Sequence, residues 1–105
     1  MGCIVSAWES SAFLDESIEL HFNSQYTMYD KDCFLQNHKD GKTLGRICVV
    51  LVYLNENYDE NNGGCLILDD GIKIVPEVGT ISILDLNEFN VFHQVTKVVG
   101  DKRRY

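Results

Sequence analysis

The sequence predicts an all-β barrel or jelly roll of seven to eight short strands, with little helix near the N-terminus. Three observations lead there. Apolar and β-branched runs of strand length recur along the chain, the clearest being RICVVLVYLN at Arg46–Asn55. Turn-forming clusters separate them at close spacing: Asn55–Gly64, Asp70-Gly71, Pro76–Gly79 and Gly100-Asp101. No convincing helical periodicity occurs after Phe22.

In chain order, residues 1–24 are the least defined. Leu14, Ile18 and Phe22 fall at i, i+4, i+8 and fit a short helix over Trp8–Phe22. Ile18, Leu20 and Phe22 also alternate, which fits a strand from about residue 17. Gln25–Tyr29 alternates as a strand, and Cys33–His38 is a second short one. Arg46–Asn55, apolar at nearly every position, reads as a central strand covered on both faces. Cys65–Asp69 and Ile72–Val75 form a hairpin across the Asp70-Gly71 turn. Thr80–Leu86 is a strand, followed by a polar loop and the strand Val91–Thr96. Gly100-Asp101 then turns the chain into a last segment, Lys102–Tyr105. No repeat or linker divides residues 1–105, so one domain is expected: an undefined segment over 1–24 and a β core over 25–105 whose last strand is incomplete.

Composition narrows the function classes. Hydrophobic residues make up 45% and charged residues 24%, which excludes wholesale disorder. A formal charge of −7 leaves no basic face to neutralise phosphates, so no nucleic-acid partner is expected. No stretch reaches membrane-spanning length. The opening MGCIVS fits an acylation pattern at Gly2 and Cys3, but Glu9, Asp15 and Glu16 oppose anionic lipid, so no membrane partner is expected either. Cys3, Cys33, Cys48 and Cys65 form no C-x-x-C pair; they read as reduced thiols of a cytoplasmic or nuclear protein.

The chemistry concentrates at two places. In His38-Lys39-Asp40, residues i and i+2 of an extended segment face the same side and can present an imidazole nitrogen and a carboxylate oxygen to one ion. His93, near the start of the strand after the polar loop, is the candidate third ligand. Two histidines and a carboxylate on one face of a metal suit Fe(II), Mn(II) or Zn(II) and leave positions open. Against this stand a surface turn for His38-Lys39-Asp40-Gly41-Lys42 and a packed strand histidine for His93. The second place is Arg104, eleven residues after His93. A turn at Gly100-Asp101 would return it beside the histidine strand, where a buried arginine could hold a carboxylate. Alternation puts Arg103 and Arg104 on opposite faces, so only one points inward. Gly41-Lys42-Thr43 lacks the first glycine of a P-loop, and Asp59–Asp70 lacks the helices of an EF-hand.

The order Tyr29, His38-Lys39-Asp40, Tyr53-Leu54-Asn55, Gly63-Gly64-Cys65-Leu66, Pro76, Gly79, His93-Gln94-Val95 and Arg104-Tyr105 resembles the Fe(II)- and 2-oxoglutarate-dependent dioxygenases, most closely their prolyl 4-hydroxylase-like branch. The resemblance implies a double-stranded β-helix of the jelly-roll or cupin-like kind. It implies Fe(II) held by His38, Asp40 and His93, and 2-oxoglutarate held by Arg104 with Tyr53 assisting and Tyr29 lining the pocket. It also implies O2 as oxidant, ascorbate as reductant, and a protein or peptide substrate, prolyl by branch, with release of succinate and CO2. The chain departs from the pattern at Asp32, where glycine is usual, at Gln94 and at Leu84. The buttressing helices before Tyr29 are nearly absent, and an open edge at residues 102–105 could be completed by a strand from a second copy. The alternative is a truncated, non-catalytic jelly-roll module of the same ancestry that binds a partner or a metal.

Overall fold

The computed structural model describes residues 2–40, 47–86 and 91–105, which form eight strands and one 3-10 turn. Gly41-Lys42-Thr43, Arg46 and most of the polar loop before Val91 lie outside the described residues.

The first two strands decide the N-terminal alternatives for the strand from about residue 17 and against the helix. β1 (Cys3–Asp15) and β2 (Ile18–Met28) pair antiparallel as one long hairpin, and no helix forms over Trp8–Phe22. A spacing of four residues is a multiple of the strand repeat as well as nearly one helical turn, so Leu14, Ile18 and Phe22 satisfied both periods. Asp15 decides between them. Its Oδ1 accepts from the Ser17 backbone N–H and from the Ser17 hydroxyl, both at 2.7 Å, which closes a turn where a helix would have continued.

Six strands make the body: β3 (Leu35–His38), β4 (Cys48–Val52), β5 (Leu66–Leu68), β6 (Lys73–Ile74), β7 (Ile81–Asp85) and β8 (His93–Val95). One sheet has the order β3-β8-β5-β6, and β4 pairs with β7 in another. The chain therefore crosses from the first sheet to the second at β4, back at β5, over again at β7 and back at β8. This alternation is consistent with a jelly-roll or cupin-like fold. The β5–β6 hairpin turns where Asp70-Gly71 directed: Gly71 has φ 87, its N–H donates to the Leu68 carbonyl, and Asp70 Oδ1 accepts from Ile72 N–H.

Tyr29, Leu66, Val95 and Val98 form the buried core, with Cys33, Leu35, Leu51, Leu68 and Ile74 packed against it. Leu51 of β4 joins residues of the four-stranded sheet there, so the core lies between the two sheets. Strand parity follows. Val49 and Leu51 are half-buried and Tyr53 and Asn55 buried, whereas Val50 and Val52 are more than half exposed. Ile47–Asn55, the described part of that run, is thus covered on one face rather than two. Its β-branched outer positions suit a pleated backbone without being buried.

Asp32, the departure at a usual glycine, has φ 72 in a turn where Cys33 N–H donates to Asp30 O and Asp32 N–H to Val98 O. Aspartate is among the few residues that adopt this left-handed conformation.

Candidate metal centre and buried arginine

β3 and β8 run antiparallel with His38 directly opposite His93, and a bulge between Leu35 and His38 sets the phase of β3. β8 is flanked on its other side by β5, where Leu68 faces His93. One histidine is therefore fixed in an interior strand and the other in the edge strand beside it. Their rings lie 4.3 Å apart between centroids, tilted by 60°.

Both imidazoles are oriented the same way. His38 Nδ1 lies 2.7 Å from the Gln36 carbonyl oxygen, and His93 Nδ1 lies 3.1 Å from that of Val91. A carbonyl oxygen only accepts, so each Nδ1 carries the proton. That leaves both Nε2 atoms aimed at Asp40: His38 Nε2 is 3.5 Å from Oδ1 and His93 Nε2 is 3.5 Å from Oδ2. The ligand atoms of His38, Asp40 and His93 all lie within 4.8 Å of one another. With neutral rings, three lone-pair donors converge on one point, and a cation there satisfies all three. Backbone carbonyls that fix the tautomer and ring of a ligating histidine are the usual support of a metal site. His93 is buried, while His38 and Asp40 are half-buried, so the open side of the cluster faces outward.

Arg104 is buried and Arg103 exposed, which settles the inward-facing residue. The returning segment does not pair with the histidine strand, however. Arg104 bridges Tyr29, exchanging backbone hydrogen bonds of 2.7 and 2.9 Å. The side chain is what reaches inward. Its Nε donates to the Gly64 carbonyl at 3.0 Å, and the guanidinium carbon lies 4.8 Å from the Tyr29 ring centroid and 5.5 Å from that of Tyr53. Contacts with aromatic faces hold a guanidinium without consuming its donors. Burial raises the Tyr29 phenol above its ordinary value, against a smaller opposing pull from Arg104, so the ring stays neutral beneath the cation.

Among the described residues no carboxylate lies within 4.0 Å of Arg104. Among the described residues no fully buried side-chain nitrogen or oxygen lacks a hydrogen-bond partner. Nε donates to the Gly64 carbonyl, and Arg104 as a whole is 6% exposed. A buried arginine held through Nε keeps a planar pair of terminal nitrogens that suits a carboxylate.

Gly63-Gly64 explains why the anchor fits. Gly64 has φ 70, and a Cβ there would meet the Tyr58 hydroxyl oxygen at 2.8 Å and Arg104 Cγ at 3.1 Å. Tyr58 in turn donates to the Gly63 carbonyl at 2.7 Å. From Gly64 the chain runs through β5 to Leu68 beside His93, four residues or roughly 13 Å of extended strand. One strand thus links the arginine to the histidine pair.

Tyr53, Tyr29 and Arg104 come together, as do His38, Asp40 and His93. The Tyr53 hydroxyl bonds the Ser82 hydroxyl at 3.1 Å. Ser82 was not singled out from the sequence, and Asn55 and Gly64 entered only through the motif order, with no role assigned. Parity carried a signal for two of them: Asn55 shares a face with Tyr53, and Ser82 with Leu84.

The residues fit a divalent metal at the triad and a carboxylate at Arg104. No helix among the described residues is long and apolar enough to cross a membrane. No curated protein and no solved structure matches the chain. The family model described as the 2OG-Fe(II) oxygenase superfamily matches residues 24–105, a stretch that includes the triad, both tyrosines and Arg104, and the chain belongs to that superfamily.

Proposed function

We propose that this protein is an Fe(II)- and 2-oxoglutarate-dependent oxygenase that hydroxylates a protein or peptide side chain, with proline as the residue and succinate and CO2 as co-products. The observation that carries the reading is the buried Arg104 without a carboxylate partner among the described residues, tied through β5 to the converging His38, Asp40 and His93. A metal site alone would leave that arginine unexplained. Iron bound at the triad supplies the oxygen chemistry of the family.

The residues of the chain have distinct tasks in this reading. His38, Asp40 and His93 hold the metal from one side and leave its other positions free. Arg104 binds the distal carboxylate of 2-oxoglutarate through its terminal nitrogens, and the Tyr53 hydroxyl adds a donor. Tyr29 walls the pocket and keeps water from the ion pair, which strengthens it. Ascorbate would serve as reductant of the iron. The prolyl assignment rests on the motif order from Tyr29 to Tyr105, and a cytoplasmic or nuclear location on the unpaired thiols.

The test is incubation with proline-containing peptides, Fe(II), 2-oxoglutarate and ascorbate, read by mass spectrometry. A gain of one oxygen on proline, absent with His93→Ala, is expected. Oxygen placed on another residue would overturn the prolyl assignment, and metal-dependent succinate formation with no oxidised peptide would overturn the peptide-substrate assignment.

A further inference from the structure

We infer that Asn55 is a positioning residue: its side chain holds the backbone that carries Arg104 and thereby sets the affinity for 2-oxoglutarate. The inference rests on Arg104 being the carboxylate anchor. It adds a residue that touches neither metal nor cosubstrate.

The segment bearing Arg104 has little ladder of its own. On one side it has the bridge to Tyr29. On the other side the Asn55 side chain substitutes for a strand. Asn55 Oδ1 accepts from the Tyr105 backbone N–H at 2.7 Å, and Nδ2 donates to the Tyr105 backbone oxygen at 2.8 Å. That is the two-bond exchange a neighbouring strand residue would provide, made by one amide side chain. The second Nδ2 hydrogen goes to the Pro76 carbonyl at 2.8 Å. Asn55 is 3% exposed, and both its donors and its acceptor are used by backbone groups. It has no donor left for a ligand, so any effect on binding must pass through the segment it holds.

The platform beneath it is fixed as well. Val78 N–H donates to the Asn55 carbonyl at 2.8 Å, and Asn55 bridges Glu77. Glu77 caps the backbone N–H groups of Asn57 and Tyr58. Residue 104 is thus pinned at its own backbone by Tyr29, at the next residue by Asn55, and at Nε by Gly64. A fork that must meet a carboxylate with two parallel hydrogen bonds tolerates errors of only about half an ångström. A short segment held on one side alone would fray.

The experiment titrates 2-oxoglutarate onto the Mn(II)-loaded full chain by calorimetry, with Mn(II) standing in for the redox-active metal. The parent, Asn55→Ala, Arg104→Gln and the double variant are compared, and Mn(II) affinity is measured separately. Arg104→Gln should weaken 2-oxoglutarate by about a hundredfold, the scale of a lost charged hydrogen-bonded pair. Asn55→Ala should weaken it about tenfold, the scale of about one net hydrogen bond lost, with Mn(II) affinity unchanged. In the Arg104→Gln background Asn55→Ala should add nothing, because its effect runs through Arg104.

A folded Asn55→Ala with parental 2-oxoglutarate affinity overturns the inference, as does an undiminished effect in the Arg104→Gln background. Arg104→Gln without effect, or a parent chain that binds no 2-oxoglutarate, overturns the underlying reading of Arg104 instead. Should Asn55→Ala fail to fold, hydrogen exchange of the parent decides. The Arg104 and Tyr105 amides should be protected as strongly as the Leu68 amide of β5, and exchange at the rate of a free chain end would overturn the clamp.

Discussion

Replacing Gly63 with alanine tests the turn on which the arginine anchor is built. Gly63 has φ 77 and ψ −160, a region closed to residues with a side chain. A Cβ there would also lie 1.9 Å from the Lys97 carbonyl oxygen, a backbone atom of the chain leading away from β8. The first effect costs about 1–3 kcal/mol. Forcing the backbones apart adds about 1–3 kcal/mol. The sum, about 2–6 kcal/mol, is a large share of the roughly 5–15 kcal/mol that stabilises a domain. Gly71 and Gly79 supply the controls: φ is 87 and 93, and a Cβ at either meets nothing within 4 Å. Gly71→Ala and Gly79→Ala therefore carry the cost of a positive φ without the collision. Urea unfolding followed by circular dichroism, at constant slope, should place the Gly63→Ala midpoint well below both controls. All three variants losing the same stability would refute the close approach of the Gly63-Gly64 turn to the β8 exit.

Three further outcomes follow from the same structure. Cys3 and Cys48 are exposed and Cys65 is buried, with burial pushing its thiol above the ordinary 9.0. A disulfide reagent at pH 8 should modify Cys3 and Cys48 first and reach Cys65 only through unfolding; equal rates at Cys48 and Cys65 would contradict this. The sign of the linkage is that a raised folded-state value stabilises below the unfolded one and loses that contribution as pH climbs through the folded one, so Cys65, Tyr29 and Tyr58 destabilise the fold only in the alkaline range. Asp32→Gly should leave the turn at φ 72 intact and relieve its strain, raising stability by up to about 1 kcal/mol in thermal unfolding; a clear loss would mean that the Asp32 side chain stabilises the turn.

What the sequence made legible was chemistry tied to local geometry. Asp70-Gly71 named its hairpin because a positive φ was needed there, and His38-Lys39-Asp40 placed two candidate ligands on one side because an extended backbone repeats every two residues. Opposing His93 to His38 required tertiary pairing: the sequence offered His93 as the third candidate and the motif order supported it, but neither fixed the register. Residues 1–24 were illegible because even spacings serve helix and strand alike. The two-sided burial expected of Arg46–Asn55 failed because the outer face of β4 is exposed at Val50 and Val52. Ser82 was overlooked, and Asn55 was quoted in its motif without a role, because a polar residue on an inward face announces itself only once the neighbouring backbone is known.

The most direct test of the account is succinate release from 2-oxoglutarate with Fe(II) and ascorbate, without added peptide, for the parent chain beside His38→Ala. Slow Fe(II)-dependent release by the parent and none by the variant is expected. Equal release by both, with each folded, would contradict the triad as the metal centre.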